Sequence, residues 1–206
     1  MTKKQKAIEI INLLKMRYPK AQCTLQYEDP LQLLIATRLS AQCTDKRVNQ
    51  VTPALFDAFP NIEAFASADE KDIEPFIFSC GFYHSKSKDI VNMCKMLMEE
   101  YDSIVPDTVD ELIKLPGVGR KTANLIVGDV YHKPSVVTDT HCIRISNRLG
   151  LASSQNPTVV EKQLRSILPK EESSDFCHRI VDFGRDVCTS RNPKCEICEL
   201  KKYCKK

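Results

Sequence analysis

The amino-acid sequence predicts an all-α protein, and two observations support this. Nearly every segment repeats its apolar residues at the three- and four-residue spacing of an amphipathic helix. No run of β-branched residues alternates with polar ones for long enough to suggest a sheet. With 206 residues and 42% hydrophobic content, the chain can bury a core and falls between one domain and two.

Several helix starts are marked by side chains that cap free backbone N–H groups. Thr2, Asp29 and Thr44 each precede a segment of helical periodicity, and Asp29 is followed by a proline, which suits a first turn. Ser67 and the acidic residues after it predict another helix, and a long one is expected over residues 85–101. Further helix starts are expected at Thr108, Arg120 and Thr138-Asp139-Thr140, and three helices complete the chain.

Composition narrows the function classes only partly. The net charge of +3 identifies no partner, because nucleic-acid binding is usually announced by clustered rather than total charge. Residues 1–15 are charged and lack an apolar run suited to a signal peptide or membrane span, so we expect a soluble cytoplasmic protein. Ten cysteines in such a chain argue against a disulfide framework, since the cytosol keeps thiols reduced. Some of them are better explained as metal ligands.

A glycine-rich turn separates two of the expected helices. In Leu115-Pro116-Gly117-Val118-Gly119, the proline and the glycines end one helix, and the next begins at Arg120. Glycines before a helix free backbone N–H groups to point at a phosphate, where the helix dipole also favours an anion. Taken alone, Gly-x-Gly favours an ordinary tight turn, but the full five-residue string is more specific. Such contacts would grip DNA without reading its sequence.

Lys121 and Asp139 are the candidate catalytic residues. Lys121 falls in the first turn after the glycines, where desolvation, Arg120 and the positive helix end would disfavour its protonated form and free the amine as a nucleophile. The carboxylate of Asp139 could stabilise a positive charge that develops beside the lysine, and could move protons around it. Most lysines are solvated surface residues, and Asp139 could cap a helix while also serving a site.

Four cysteines near the end of the chain have the spacing C-x6-C-x2-C-x5-C. Thiolates this close must share a metal or oxidise. Zinc sites usually pair two short cysteine knuckles, whereas this segment has a single C-x2-C, which argues against a zinc site. The expected ligands are Cys188, Cys195, Cys198 and Cys204. The other six cysteines have no ligand spacing and are expected to be buried: Cys23, Cys43, Cys80, Cys94, Cys142 and Cys177.

Together these motifs resemble the endonuclease III family of helix-hairpin-helix (HhH-GPD) DNA glycosylases, along nearly the whole chain from Gln42 to Cys204. The resemblance rests on Leu39-Ser40-Ala41-Gln42, Tyr83-x-Ser85-Lys86, the hairpin Leu115 to Asn124, Asp139-Thr140-His141 and the final cysteines.

The resemblance implies a two-domain fold. A six-helix barrel domain is expected over residues 22–133, with the helix-hairpin-helix at about 107–131. A four-helix domain is expected from residues 1–21 and 134–206, with a [4Fe-4S] cluster held by the loop 188–204 and the DNA cleft between the domains. The cluster's expected role is to shape that loop toward phosphates rather than to perform bond chemistry.

The resemblance also implies a bifunctional DNA N-glycosylase/AP lyase of base excision repair. Lys121 would attack C1′ of a damaged nucleotide, expel the base and form a Schiff base, from which β-elimination cleaves the strand on the 3′ side. Oxidised pyrimidines such as thymine glycol are the first expected substrates. The alternatives are an AP lyase or glycosylase with another lesion or mismatch preference, or a non-catalytic iron–sulfur DNA-binding module. The presence of both Lys121 and Asp139 argues against the last.

The partner implied is double-stranded DNA with damaged bases or abasic sites, bound by a monomer that is nucleoid-associated if bacterial. Because the target atom is inaccessible in a duplex, the nucleotide must flip out. By resemblance, Gln42 fills the gap, and Phe82, where many bacterial relatives carry leucine, wedges against the opposite strand, although either could be plain packing. The remaining DNA contacts implied are Lys86, Gly117, Val118, Gly119, Arg120, His141, Arg144, Arg191 and Lys194.

The sequence departs from many bacterial relatives at a few positions. Those relatives carry glutamate at Ile113, valine at Thr138, and a Leu-His pair at Asp182-Phe183. The lysine and the aspartate are retained, so these differences bear on the base preference rather than on the reaction class.

Overall fold

The computed structural model describes residues 1–205, which contain eleven α-helices and no β-strand. The all-α prediction is therefore confirmed. In chain order the helices are α1 (Lys3–Arg17), α2 (Pro30–Leu39), α3 (Asp45–Ala58), α4 (Ile62–Ser67), α5 (Glu70–Ile77), α6 (Tyr83–Glu100), α7 (Val109–Leu112), α8 (Arg120–Asp129), α9 (Thr140–Arg148), α10 (Pro157–Arg165) and α11 (Ser173–Asp186). Short 3₁₀ turns lie at Phe78–Cys80, Lys170–Glu172 and Lys201–Tyr203.

The chain divides into two compact units. One is Thr24–Tyr131, with helices α2 to α8, and the other combines Met1–Cys23 with the chain from His132 onward, with α1, α9, α10 and α11. Within Thr24–Tyr131, α6 packs against α4 and α5, while α2 packs against α3 and α8. Fully buried side chains fill this unit, among them Leu33, Leu34, Phe65, Ile73 and Ile90. Each contributes about 1.5–3 kcal/mol by leaving water.

The second unit is built around α11. This helix packs against α1 and α9, and the interface buries side chains from all three helices. Those with no exposed surface include Ile10, Leu14, Ile145, Phe176 and Ile180. The unit therefore has its own apolar core, made by segments from the two ends of the chain.

Most of the expected helix caps are confirmed. Thr2, Asp29, Thr44, Thr108 and Asp139 each accept a backbone N–H of the first turn of the helix that follows. Such a cap is worth about 1 kcal/mol.

Two of the expected helix starts were wrong. Ser67 ends α4, and the helix after it is capped two residues later by Asp69. The long helix α6 begins at Tyr83 rather than Ser85, after Phe82, whose φ of 48° is left-handed. Phe82 makes no side-chain capping bond, so the sequence carries no cap signal there.

Within residues 1–205, every helix is too short or too polar to cross a bilayer.

Candidate active site

The turn between α7 and α8 requires glycine at one position. Gly117 has a φ of 73°, in the left-handed region that side chains disfavour. A Cβ there would lie 2.8 Å from Arg38 Nε and 2.9 Å from Asp89 Cβ. Arg38 and Asp89 form an ion pair between α2 and α6, with Nε donating to Oδ2 at 2.8 Å. The turn thus rests directly on a charged pair, with no room for a methyl group.

The second glycine of the turn faces open space. Gly119 is the N-cap of α8, makes no side-chain capping bond, and has no atom within 4 Å of the position of a Cβ. The first N–H groups of any α-helix lack partners within the helix, and its dipole is positive at this end. The start of α8 is therefore open to an anion such as a phosphate.

Val118, between the two glycines, has a structural role. Its side chain is buried, and its N–H donates to the carbonyl of Leu115 at 3.1 Å. The expected DNA contact by Val118 is corrected accordingly, because neither its side chain nor its N–H is available. Arg120 follows as the first residue of α8 and is half-buried.

Lys121 lies in the first turn of α8, as expected, and its side chain is exposed. The expectation of a desolvated amine is not met by the chain's own residues. Desolvation at Lys121 would have to come from a bound partner that covers the start of α8. An exposed amine in this position is accessible to a carbon atom of a docked strand.

Asp139 combines two roles that the sequence left open together. It is the N-cap of α9, where its Oδ1 accepts the Cys142 N–H at 2.7 Å, and it is only half-buried. The cap fixes the orientation of the carboxylate on α9. Asp139 belongs to the unit that includes His132 onward, whereas Lys121 belongs to Thr24–Tyr131.

Gln42 and Phe82 share an unusual backbone conformation. Their φ angles are 55° and 48°, and both side chains are exposed, that of Phe82 to 66%. A left-handed conformation costs a residue with a side chain about 1–2 kcal/mol. Such strain persists only where the surrounding structure imposes it, and it clusters at functional sites.

The structure corrects the assignment of Lys86 as a DNA contact. The side chain has no exposed surface, and its Nζ donates to the carbonyls of Leu39 at 2.7 Å and Cys80 at 3.0 Å. Burial lowers the pKa of this lysine. A side chain enclosed in this way cannot contact a phosphate. Lys86 instead bonds two backbone carbonyls within Thr24–Tyr131.

His141 and Arg144 lie on α9 and contact the rest of their own unit. Arg144 donates Nη2 to the Cys188 carbonyl at 2.8 Å, and the same nitrogen is 3.3 Å from His141 Nδ1. The imidazole fits because residue 184 of α11 is glycine; a Cβ there would lie 2.3 Å from His141 Nδ1. Both side chains are half-buried. The geometry therefore shows that Arg144 supports the segment that begins at Cys188, and the expected DNA contacts of His141 and Arg144 stay predictions.

The four expected ligand cysteines line one cavity of about 60 Å³. None of the four forms a disulfide bond. Within residues 1–205 no three His, Cys, Asp or Glu side chains are placed to hold a single metal ion. A four-iron cluster brings its own sulfide and occupies volume between its cysteines, so four thiols around a cavity fit a cluster better than one zinc ion.

Arg148, which the sequence analysis missed, supports the same cavity. Its Nη1 donates to Cys188 Sγ at 3.2 Å and to the Thr189 carbonyl at 3.1 Å, and its Nη2 reaches the Ser190 carbonyl at 3.2 Å. A donor to a cluster-ligating sulfur stabilises its negative charge. The signal was the spacing of Arg144 and Arg148, which places both on one face of α9.

The remaining site residues lie on the surface. Arg191 and Lys194 are exposed within the cysteine segment, and Lys194 Nζ is 3.5 Å from Asp186 Oδ1. Among the other cysteines, Cys80, Cys94, Cys142 and Cys177 are buried as expected. Cys23 and Cys43 are only partly buried, which corrects the expectation for those two.

Comparison with known proteins places this site in a family. The model of the HhH-GPD superfamily base excision DNA repair proteins matches residues 35–170, and that of the iron–sulfur binding domain of endonuclease III matches residues 188–204. Endonuclease III of Synechocystis sp. is 46% identical over 204 residues, 98% of this chain and 93% of that protein. Endonuclease III of Bacillus subtilis is 41% identical, covering 91% of this chain and 86% of that protein.

A solved structure gives the same result. A trapped endonuclease III–DNA covalent intermediate has a TM-score of 0.92 and 40% identity, covering 100% of this chain and 97% of that chain. The fold and the site thus define a helix-hairpin-helix base excision repair enzyme. Within the HhH-GPD superfamily, the chain belongs to the endonuclease III family. It is a DNA glycosylase/AP lyase whose four-cysteine segment holds a [4Fe-4S] cluster.

Proposed function

We propose that the chain removes damaged bases through the amine of Lys121. The observation that carries this proposal is the exposed lysine in the first turn of α8, directly after a glycine turn open to phosphate. The amine of Lys121 attacks C1′, the bond from C1′ to the base breaks, and the base leaves with a proton. The C1′–O4′ bond then breaks as O4′ takes up a proton from solvent, which opens the sugar and leaves a protonated imine between Lys121 and C1′. The imine makes the protons on C2′ acidic. When a base removes one of them, a C2′–C3′ double bond forms, the C3′–O bond breaks and the 3′ phosphate leaves. The covalent DNA intermediate trapped for the related endonuclease III supports this route.

Asp139 is proposed as the electrostatic and proton-transfer partner of the amine. The N–H of Cys142 donates to Oδ1 of Asp139, and this bond holds the carboxylate at the start of α9. A carboxylate stabilises the oxocarbenium character of the sugar as the base departs, and it can carry protons to and from the lysine. The two residues come from different units. We propose that Thr24–Tyr131 is the barrel domain, that the rest of the chain is the cluster domain, and that residues of both bind DNA.

Gln42 and Phe82 are proposed as the side chains that enter the duplex. Both are exposed on strained turns, and an amide or an aromatic ring can occupy the space vacated by a flipped nucleotide. The hairpin residues Gly117, Gly119 and Arg120 are proposed to hold the backbone, and Arg191 and Lys194 to contact phosphates.

Oxidised pyrimidines such as thymine glycol are the proposed substrates, and the protein is proposed to act as a monomer in the cytoplasm, on nucleoid DNA if bacterial. A narrower AP lyase, or a glycosylase for another lesion, would use the same residues. Measuring the free base released from a panel of lesion duplexes distinguishes these. The departures at Ile113 and Thr138 bear on the outcome, since Ile113 is 41% exposed and Thr138 is buried beside Asp139 in sequence.

The nucleophile is tested by borohydride trapping on a duplex that carries an abasic site. Wild-type protein is expected to form a covalent adduct, and Lys121→Gln is expected to form none, because the amide cannot form an imine. Lys114→Gln is the matched control, since Lys114 is exposed nearby and donates to both Glu111 carboxylate oxygens at 2.8 Å. An adduct that survives Lys121→Gln would remove the nucleophile assignment.

Asp139→Asn tests the carboxylate separately from its cap. Asparagine caps helices about as well as aspartate, so the variant should fold and bind DNA. Single-turnover base release should fall by several orders of magnitude, because the charge is lost while the fold remains. Near-normal turnover would reject a catalytic role for Asp139 and leave it as a cap alone.

A further inference from the structure

The side chain of Lys86, in the first turn of α6, makes two hydrogen bonds that join separate parts of the unit Thr24–Tyr131. Its Nζ donates to the carbonyls of Leu39 at 2.7 Å and Cys80 at 3.0 Å. The backbone N–H of Lys86 donates to the carbonyl of Phe82 at 3.0 Å. The side chain has no exposed surface, so water does not compete for these bonds.

The two backbone carbonyls that accept from Lys86 Nζ both lie at the ends of helical segments. Leu39 is the last residue of α2, and Cys80 is the last residue of the 3₁₀ turn before α6. Carbonyls at helix ends lack partners within the helix, and the dipole of an α-helix makes its C-terminal end negative. A lysine is suited to such an end, because it supplies both charge and donors. Lys86 thus fastens two segment ends to the first turns of α6.

Each of these two segment ends lies two or three residues before an exposed residue with left-handed backbone. After Leu39, the turn closed by Cys43 N–H to the Ser40 carbonyl at 3.0 Å contains Gln42. After Cys80, the chain passes through Gly81 to Phe82. Both Gln42 and Phe82 are exposed, and the same ammonium group holds the backbone just before each of them.

We propose that Lys86 is a positioning residue that sets the spacing between Gln42 and Phe82, so that both side chains enter a duplex together. This inference rests on the proposed function, in which those two residues fill and wedge the stack. One buried side chain bonded to both turns fixes their separation before DNA arrives, so less ordering is required on binding. A single strand has no opposite stack to fill or wedge. The contribution of Lys86 should therefore appear only on duplex DNA.

The test compares imine formation on duplex and single-stranded abasic oligonucleotides by single-turnover borohydride trapping. Lys86→Met keeps the length and removes both donors. It is expected to lower the duplex rate by about tenfold or more, since small misplacements of positioning groups cost rates of this order, and to change the single-strand rate by less than about twofold. Leu97→Ala is the matched control, because it disturbs a fully buried residue near the other end of α6. It should leave the ratio of the two rates at the wild-type value.

Equal loss on both substrates, or no loss on the duplex, would overturn the proposal. If Lys86→Met does not fold by circular dichroism, Lys86→Gln, which retains a donor, should give the same direction with a smaller change. Failure of both variants to fold would assign Lys86 to stability alone and reject the positioning role. Failure of the wild-type protein to trap either substrate would instead contradict the proposed lysine chemistry.

Discussion

At the scale of single residues, the turn residues Gln42 and Phe82 adopt a conformation that their side chains disfavour. The left-handed backbone would suit glycine or asparagine, and no local sequence pattern marks either position. Hydrogen bonds around the turns, such as those of Lys86, offset the free-energy cost of this conformation. Selection for stability alone would not retain an exposed phenylalanine there, which is consistent with a role on DNA.

Phe82→Gly is expected to raise the free energy of unfolding while it lowers activity on duplex lesions. Glycine relieves left-handed strain of about 1–2 kcal/mol but costs about 0.5–1 kcal/mol in chain entropy, so the net gain should be about 0.5–1 kcal/mol. The measurement is urea denaturation alongside base release. Phe82→Ala is the control, because it removes the ring and keeps the strain. Equal stability of the two variants would refute the strain argument.

Residue identities that depend on local chemistry were predictable from the sequence, whereas those that depend on packing were not. The capping role of Asp139 follows from its place before a helical segment. The burial of Lys86 does not, since a lysine beside Ser85 looks like a surface residue until α2 and the 3₁₀ turn are brought against it. The same is true of Arg144, whose partner Cys188 lies far along the chain.

At the scale of elements, the two glycines of the hairpin between α7 and α8 have different roles. Gly117 is required by backbone conformation and by the Arg38–Asp89 pair beneath it. Gly119 is required by neither, and the space above it is open. The motif was recognisable in the sequence, but this division of labour depends on α2 and α6, which are distant in the chain.

Alanine at each glycine should separate folding from binding. Gly117→Ala should lower the free energy of unfolding by about 2 kcal/mol or more, through the left-handed φ and the close contacts. Gly119→Ala should fold normally but bind abasic duplex more weakly, because a methyl group stands where the phosphate approaches. Chemical denaturation and fluorescence anisotropy measure the two effects. Weak binding by neither variant would argue against the hairpin as the DNA anchor.

At the scale of the whole molecule, the cluster segment is attached to one helix by two arginines. Arg144 and Arg148 on α9 donate to Cys188 and to the residues after it. The protein should be brown when purified, with about four irons per chain. Stoichiometric zinc in place of iron would contradict the cluster assignment.

Removal of the iron should loosen α9 while it leaves Thr24–Tyr131 intact. Without the cluster, the cysteine segment loses its organising centre, and the bonds to Arg144 and Arg148 lose their fixed partner. Hydrogen exchange should rise in α9 and in residues 188–204, with α6 as the internal control. Unchanged exchange in α9 after iron removal would show that the segment holds its shape without metal.

Helix α9 also carries Asp139 at its other end, nine helical residues away from the last arginine contact. Helix α9 is about 14 Å long. A helix this short moves as one body, so a tilt at its C-terminal end also displaces its N-terminal end. Because the cysteine segment is bonded to the other end of α9, we expect loss of the cluster to shift the carboxylate of Asp139. Oxidative damage to the cluster should then lower the rate of base release before it lowers the affinity for DNA.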